Sequence, residues 1–362
     1  LEEKKMKVSL CLIAYNEEPR IAGAIASGWG LADEVIVVDG GSTDGTVAMA
    51  RAAGVKVIDV GNSNNLSANR NAAIDAATGD WIVFLDCDEL IQNPVGLRAF
   101  LQSDKVEGLD GLAIKQLYLD ANDKPEEALY PVRVFRRGLV RYKYRWHEKP
   151  MSVDQSRVGA YGQTEFVFEH RRPDKPGVPE RALHWLEQDV EENPGDPRPI
   201  YYLARQYLYL GELKLARSFF QTYLEIPEAR NPGSAWMFLG QAYGKEGNRE
   251  EQIRCLYRSC EADPRWRNPW GQLAALYYKQ ARYSLAAALL RCVLALPMPD
   301  DVYEDYLWFG WLPWDYLARC MYHLGRYQEG LEYAARAVEL GPGDERLVEN
   351  LAAFMEKVDA AR

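Results

Sequence analysis

Three continuous apolar runs of strand length, residues 8–15, 34–39 and 81–85, lie in series with segments of helix length between them. A shorter strand-like piece falls at 55–60, and helical segments at about 18–28 and 67–77. Runs apolar throughout, rather than alternating, belong to strands buried on both faces, which is the habit of parallel sheets flanked by helices. Strand, helix and strand in series imply right-handed crossovers and a mostly parallel, Rossmann-like sheet. Ligands of such sheets sit beyond the carboxyl ends of the strands. Three of these ends are polar: Asn16-Glu17, Asp39, and Asp86 with Asp88.

Beyond about residue 108 the pattern weakens to short β-like pieces at 111–119, 132–135 and 166–168. The proline-rich stretch 171–179 reads as a linker, closing an α/β domain at 1–170. From 180 to 362 the pattern is helical and repeats. Ile200, Trp236, Trp270 and Trp314 are anchors 36, 34 and 44 residues apart, the last gap widened by an insertion at 300–310. Four residues after each anchor stands a small residue (Ala204, Gly240, Ala274, Ala318), and three further on Tyr207, Tyr243, Tyr277 or Met321. Three units turn at Gly211, Gly247 and Gly325. This resembles the tetratricopeptide repeat, in which small residues let paired helices approach and aromatics fill the gaps. Residues 181–192 read as a lone helix capping the array.

At 362 residues, two domains are the natural expectation. A net charge of −10 argues against a nucleic-acid partner. The six cysteines form no CxxC pair and read as buried free thiols of a reducing compartment. No targeting segment and no run long enough to span a membrane are expected, so the chain reads as cytoplasmic.

The chemistry gathers at Asp86-Cys87-Asp88. Two carboxylates one residue apart at a strand end can reach one site, and a hard cation bridging them to a diphosphate takes oxygen ligands. Asp39 can accept from a ring N–H or cap its own loop. Arg70 suits diphosphate oxygens or lies on a helix surface. Asp44 is placed to cap the following helix. Residues 133–149 are locally basic (Arg133, Arg136, Arg137, Arg141, Lys143, Arg145, Lys149), which suits a leaving diphosphate, an anionic acceptor or membrane surface, or a solvated face.

Ser9-Leu-Cys-Leu-Ile-Ala-Tyr-Asn-Glu-Glu18, Val35-Ile-Val-Val-Asp-Gly-Gly-Ser-Thr-Asp-Gly-Thr46, Asn69-Arg-Asn71 and Phe84-Leu-Asp-Cys-Asp-Glu89 together resemble the successive motifs of glycosyltransferase family 2, with its GT-A fold. The resemblance implies an inverting enzyme that uses a nucleotide-diphosphate sugar, a UDP-sugar first, with Mn²⁺ or Mg²⁺. It implies that Tyr15, Asn16, Glu17 and Asp39 hold base and ribose, that Asp86 lies near ribose and diphosphate, and that Arg70 meets the nucleotide. By the same resemblance Asp88 and Asp86 serve the metal, His147 completes its site, and Glu148 of Arg145-Trp-His-Glu148 is the general base, with Asp120 and Asp123 as rivals. A nucleotidyltransferase would need a glycine-rich loop where Asn16-Glu17-Glu18 stands.

Three functions follow. The first is a protein glycosyltransferase whose repeats grip a polypeptide acceptor, as in bacterial family 2 enzymes with appended repeats. The second is a polysaccharide or lipopolysaccharide transferase whose repeats serve homodimerisation or docking, with peripheral membrane contact. The third is an inactive transferase-like scaffold.

Overall fold

The computed structural model describes residues 6–61, 65–119, 123, 125–154, 156, 159–171, 178–297 and 308–360. Most of the expected linker (172–177), most of the expected insertion (300–307) and Asp120 lie outside the described residues. The chain divides into two compact units, 1–194 and 195–362.

In the first unit, β1 (Val8–Ala14), β2 (Glu34–Asp39), β3 (Lys56–Asp59) and β4 (Trp81–Phe84) alternate with α1 (Ile21–Ser27), α2 (Thr46–Ala52) and α3 (Leu66–Ala76). β1 lies between β2 and β4, and β2 beside β3, all parallel. Alternate side chains of β1 enter two cores: Leu10 and Leu12 pack with Ile21, Ile25 and Leu97 on one face, and Cys11 with Ile36, Ile74 and Phe84 on the other. Both faces are therefore buried, which is why the runs are apolar throughout.

After β4 come β5 (Glu89–Ile91), α4 (Pro94–Leu101), β6 (Gly111–Leu119), β7 (Pro125–Leu129), β8 (Val132–Arg136), β9 (Val140–Lys143), β10 (Lys149–Ser152), β11 (Tyr161–Arg171) and α5 (Val178–Glu192). The main sheet runs β3-β2-β1-β4-β8-β6-β11-β5, with β7 on β6, and β9 and β10 form a separate ribbon. β8 is antiparallel to β4 and β6, and β11 parallel to β6 but antiparallel to β5. The parallel arrangement expected from the sequence thus describes the first four strands, and the sheet as a whole is mixed. Helix α5 falls in the first unit.

Among the described residues the second unit is all helix: α6 (Pro197–Leu210), α7 (Leu213–Glu225), α8 (Pro232–Lys245), α9 (Arg249–Ala262), α10 (Arg267–Lys279), α11 (Tyr283–Ala295), α12 (Leu312–His323), α13 (Tyr327–Leu340) and α14 (Glu345–Ala360). The described helices form four antiparallel pairs and a closing helix. The small residues Ala204, Gly240, Ala274 and Ala318 are all buried; a Cβ on Gly240 would stand 3.2 Å from Cys255 Cβ. The anchors Trp236, Trp270 and Trp314 are half-buried rather than fully core.

The turn between paired helices needs a left-handed residue. Gly211, Gly247 and Gly325 supply it at φ +83°, +84° and +70°, and in the third pair Ala281 takes the same place at φ +58°. An L residue there costs roughly 1–2 kcal/mol, partly offset by the lower entropy of its unfolded chain. Ala281→Gly is expected to raise the stability of this unit by about 0.5–1 kcal/mol, read as a higher thermal midpoint.

All six cysteines are free, and only Cys292 is exposed. Burial pushes the thiols of Cys11, Cys255 and Cys260 up to about 12 and that of Cys320 up to about 11. Since the thiolate is the reactive form, a disulfide-exchange reagent should titrate one thiol in the native protein and six after denaturation. Several fast native thiols would contradict this packing.

Candidate active site

Register brings the polar strand ends to one edge. Ala14 pairs with Asp39, Cys11 with Phe84, and Leu85 N donates to Cys11 O at 3.1 Å, so residues 15–17, 39 and 86–88 emerge side by side. Asn16 takes φ +56°, a conformation that Asn tolerates. Its Oδ1 accepts from Thr43 N at 2.8 Å and its N–H donates to Ser42 Oγ at 2.9 Å, which pins the loop after β2. Asp39 Oδ2 accepts from the amides of Gly41 (3.0 Å) and Ser42 (2.9 Å), and its Oδ1 from Ser42 Oγ. Asp39 thus shapes the loop that follows it. Glu17 is buried and its Oε2 accepts from Arg20 Nε at 2.9 Å, whereas Tyr15 is exposed at the rim. Gly45, rather than the expected Asp44, is the N-cap of α2, and Asp44, one position before it, accepts through Oδ1 from Thr46 N at 3.0 Å.

Asn65 caps α3 by accepting from Ala68 N at 2.9 Å, which sets the phase of Asn69-Arg70-Asn71. Asn71 clips α3 to β9, donating to Tyr142 O and accepting from Tyr142 N, both at 2.9 Å. Arg70 then points inward, 4% exposed, between the rings of Phe84 and Tyr142. Its Nη2 donates to Asp86 Oδ1 at 2.8 Å and its Nε to Glu148 Oε1 at 2.7 Å. Arg133 of β8 donates through Nη2 to Asp86 Oδ2 at 2.8 Å and to Glu89 Oε1 at 3.1 Å. Glu89, fully buried, also accepts from Gln116 Nε2, and its Oε2 accepts from Asp86 N at 2.8 Å. Burial alone would raise the Asp86 carboxyl, but the Arg133 and Arg70 guanidiniums beside it hold it far below the usual carboxylate range. The same carboxylates hold both arginines firmly protonated against their own burial.

Beside this cluster β11 returns antiparallel to β5, with His170 opposite Glu89. His170 Nδ1 lies 3.6 Å from Asp88 Oδ1 and 3.8 Å from Glu89 Oε1, and Arg171 N donates to Asp88 O at 3.1 Å. His147, the expected metal ligand, is exposed in a strained turn, where it and Tyr144 take φ +52° and +74°. Asp189 of α5 holds that turn: its carboxylate accepts from Arg145 N (2.8 and 3.0 Å) and Trp146 N (3.3 Å). Asp123 pairs with Arg171 at 3.1 Å.

The basic stretch is largely wiring. Arg136 Nε donates to Leu109 O and Arg137 Nε to Gly79 O, while Arg141 pairs with Asp75 and Arg145 with Glu192. Sequence reasoning did not assign roles to Glu89, Gln116, His170 or Asp189. Glu89 sits in the strand-end motif and was within reach; the others are joined by pairings no local pattern announces.

Among the described residues no group of three His, Cys, Asp or Glu side chains could by itself hold a metal. Both oxygens of Asp86 accept from guanidiniums, whereas Asp88 and His170 are side chains that could serve as donors. One carboxylate and one imidazole suit a Mn²⁺ or Mg²⁺ that takes its remaining ligands from a diphosphate and water.

A half-parallel sheet with carboxylates at its carboxyl edge and a mixed β11–β5 return beside them is a GT-A-type domain. Residues 9–110 match the model of glycosyl transferase family 2, and residues 233–265 that of the tetratricopeptide repeat. The chain thus carries a family 2 glycosyltransferase domain followed by tetratricopeptide repeats. It is 31% identical over 226 residues to a TPR repeat-containing protein of Synechococcus elongatus, covering 58% of this chain and 55% of that one. It is 35% identical over 127 residues to an uncharacterized glycosyltransferase of Rickettsia felis, covering 34% and 44%. It is 25% identical over 211 residues to the glycosyltransferase SunS of Bacillus subtilis, covering 54% and 48%. The chain spans about half the length of these relatives. No helix among the described residues is long and apolar enough to cross a membrane.

Proposed function

We propose that the chain transfers a sugar from a nucleotide-diphosphate donor, a UDP-sugar first, to a polypeptide acceptor held by the helical unit. The observation that carries this reading is Arg70, which gathers Asp86 and Glu148 on one buried guanidinium at the strand edge where Asp88 and His170 meet. Asp88 and His170 would hold a divalent cation, which when bound neutralises the diphosphate and eases its departure. Tyr15, Asn16, Glu17 and the Asp39-shaped loop form the floor for base and ribose. Asp86 faces the donor from a carboxylate that Arg70 and Arg133 keep ionised and fixed. Glu148 is the base: Arg70 holds Oε1, and Oε2 takes the acceptor's proton as the acceptor oxygen or sulfur bonds to the anomeric carbon and the diphosphate oxygen leaves. The configuration inverts. His147 is assigned to the acceptor side of the turn rather than to the cation.

The test is to incubate the protein with a panel of nucleotide sugars and Mn²⁺, with and without EDTA, and measure the nucleoside diphosphate released. Metal-dependent release from one donor supports the transferase and names its sugar. No release together with no donor binding by calorimetry would leave the scaffold reading in its place.

A further inference from the structure

The leading helices of the repeat pairs, α6, α8, α10 and α12, carry one acid between them, against seven on α7, α9, α11 and α13, where seven basic residues balance them. The leading helices bear Arg198, Arg205, Lys245, Lys279 and Arg319, besides Arg267, which is buried against the carbonyls of Leu296 and Trp308. Their single acid, Asp315, is 2% exposed and accepts from Arg346 and Asn350, both at 2.9 Å. The acids of the unit gather instead on the following helices, as Glu250, Glu251 and Glu261 on α9 and Glu329, Glu332 and Glu339 on α13. In a chain of net charge −10, a face almost free of acid is a marked reversal.

The face is also continuous. The residue after each close-packed small residue and the residue four further on share one side of a helix. These positions hold Arg205 and Tyr209, Gln241 and Lys245, Ala275 and Lys279, and Arg319 and His323, none of them acidic. Contacts cross every helix boundary along this line. Arg205 Cζ lies 5.0 Å from the Phe238 ring centre, Gln241 Nε2 is 3.5 Å from Gln272 Oε1, and Arg319 Cζ lies 4.8 Å from the Tyr278 ring centre. Arg205, Lys245 and Lys279 are exposed, and among the described residues Arg205 contacts only aromatic rings. Tyr209, 74% exposed, adds a flat apolar surface at the start of the line.

We propose that this face docks an extended, acidic polypeptide segment, its carboxylates on Arg205, Lys245 and Lys279 and its apolar side chains on the intervening rings, with Arg319 held 3.4 Å from the buried Asp315. This rests on the reading that the helical unit holds a polypeptide acceptor, and narrows that acceptor to an acidic one. An extended chain rises about 3.3 Å per residue, so acids spaced along it can meet cations on successive leading helices. Charge complementarity of this kind sets partner choice and association rate and is weakened by salt.

The test uses the full chain and fluorescein-labelled peptides of about 12 residues built on Glu-Gly-Tyr, Gln-Gly-Tyr or Lys-Gly-Tyr repeats. Binding is followed by anisotropy at about 50 and about 300 mM salt. The Glu peptide should bind, more weakly at the higher salt, and at least about tenfold more weakly to the double variant Arg205→Glu/Lys245→Glu. Lys245→Glu/Lys279→Glu is the second variant, with helicity checked by circular dichroism. Equal binding of the Gln peptide, or unchanged binding by both variants, overturns the proposal. So does tighter binding to phosphatidylserine vesicles that the same substitutions abolish, which would make the face a membrane surface. Donor hydrolysis, measured alongside, should be unchanged in both variants. Hydrolysis without binding of any peptide sinks the docking face and leaves the transferase chemistry standing; binding without hydrolysis does the reverse.

Discussion

Asp88→Asn is expected to lower metal-dependent donor hydrolysis at least about 10²-fold while leaving the fold intact. The amide has the shape of the carboxylate and can still meet His170, 3.6 Å away, but it brings no charge to a hard cation. The loss should appear in kcat and in a raised Mn²⁺ requirement, with the thermal midpoint unmoved. Asp86→Asn should behave differently. Its two oxygens hold Arg70 and Arg133, both at 2.8 Å, so an amide there leaves buried guanidiniums short of an anion and lowers stability as well as activity. On the proposed function, two carboxylates one residue apart thus separate into a cation ligand and a keystone. Full activity of Asp88→Asn at every Mn²⁺ concentration would remove Asp88 from the cation site.

The separation was not readable in Asp86-Cys87-Asp88 itself. The parallel half of the sheet was legible because burial on both faces writes unbroken apolar runs into β1, β2 and β4, and the strand ends follow from them by register. The repeats were legible because close helix packing demands small residues at a fixed period, and even Ala281 stands at the turn position that glycine holds elsewhere. Long-range pairings were not. His170 reaches Asp88 only because β11 returns along β5, and Asp189 reaches the Arg145–Trp146 amides only because α5 comes back to that turn. The basic stretch suggested an anionic ligand for a related reason: charge can be counted along a chain, whereas the carbonyls and carboxylates that absorb it are supplied by the fold. Arg133 is the clearest instance, a cation of the basic stretch that is 9% exposed between Asp86 and Glu89.

Arg133→Met therefore carries the largest expected effect on stability. Methionine keeps the apolar length of the side chain but leaves Glu89, fully buried, without the guanidinium 3.1 Å from its Oε1, and takes one of two cations from Asp86. Breaking a buried pair from one side costs about 3–5 kcal/mol, because the remaining charge stays out of water. Urea unfolding of the first unit should shift accordingly, with the helical unit unaffected. The effect depends on pH in a defined direction. The folded-state proton affinity of Asp86 is depressed by Arg133 and Arg70, so its contribution is complete above the unfolded carboxylate value of about 4 and fades as pH falls toward the depressed one. The gap between wild type and Arg133→Met should thus be widest near neutrality and narrow below about pH 4. A gap independent of pH would mean that Arg133 acts through packing alone. Arg133→Lys keeps the charge and should recover more of the loss than Arg133→Met, since a single nitrogen, Nη2, reaches both Asp86 and Glu89.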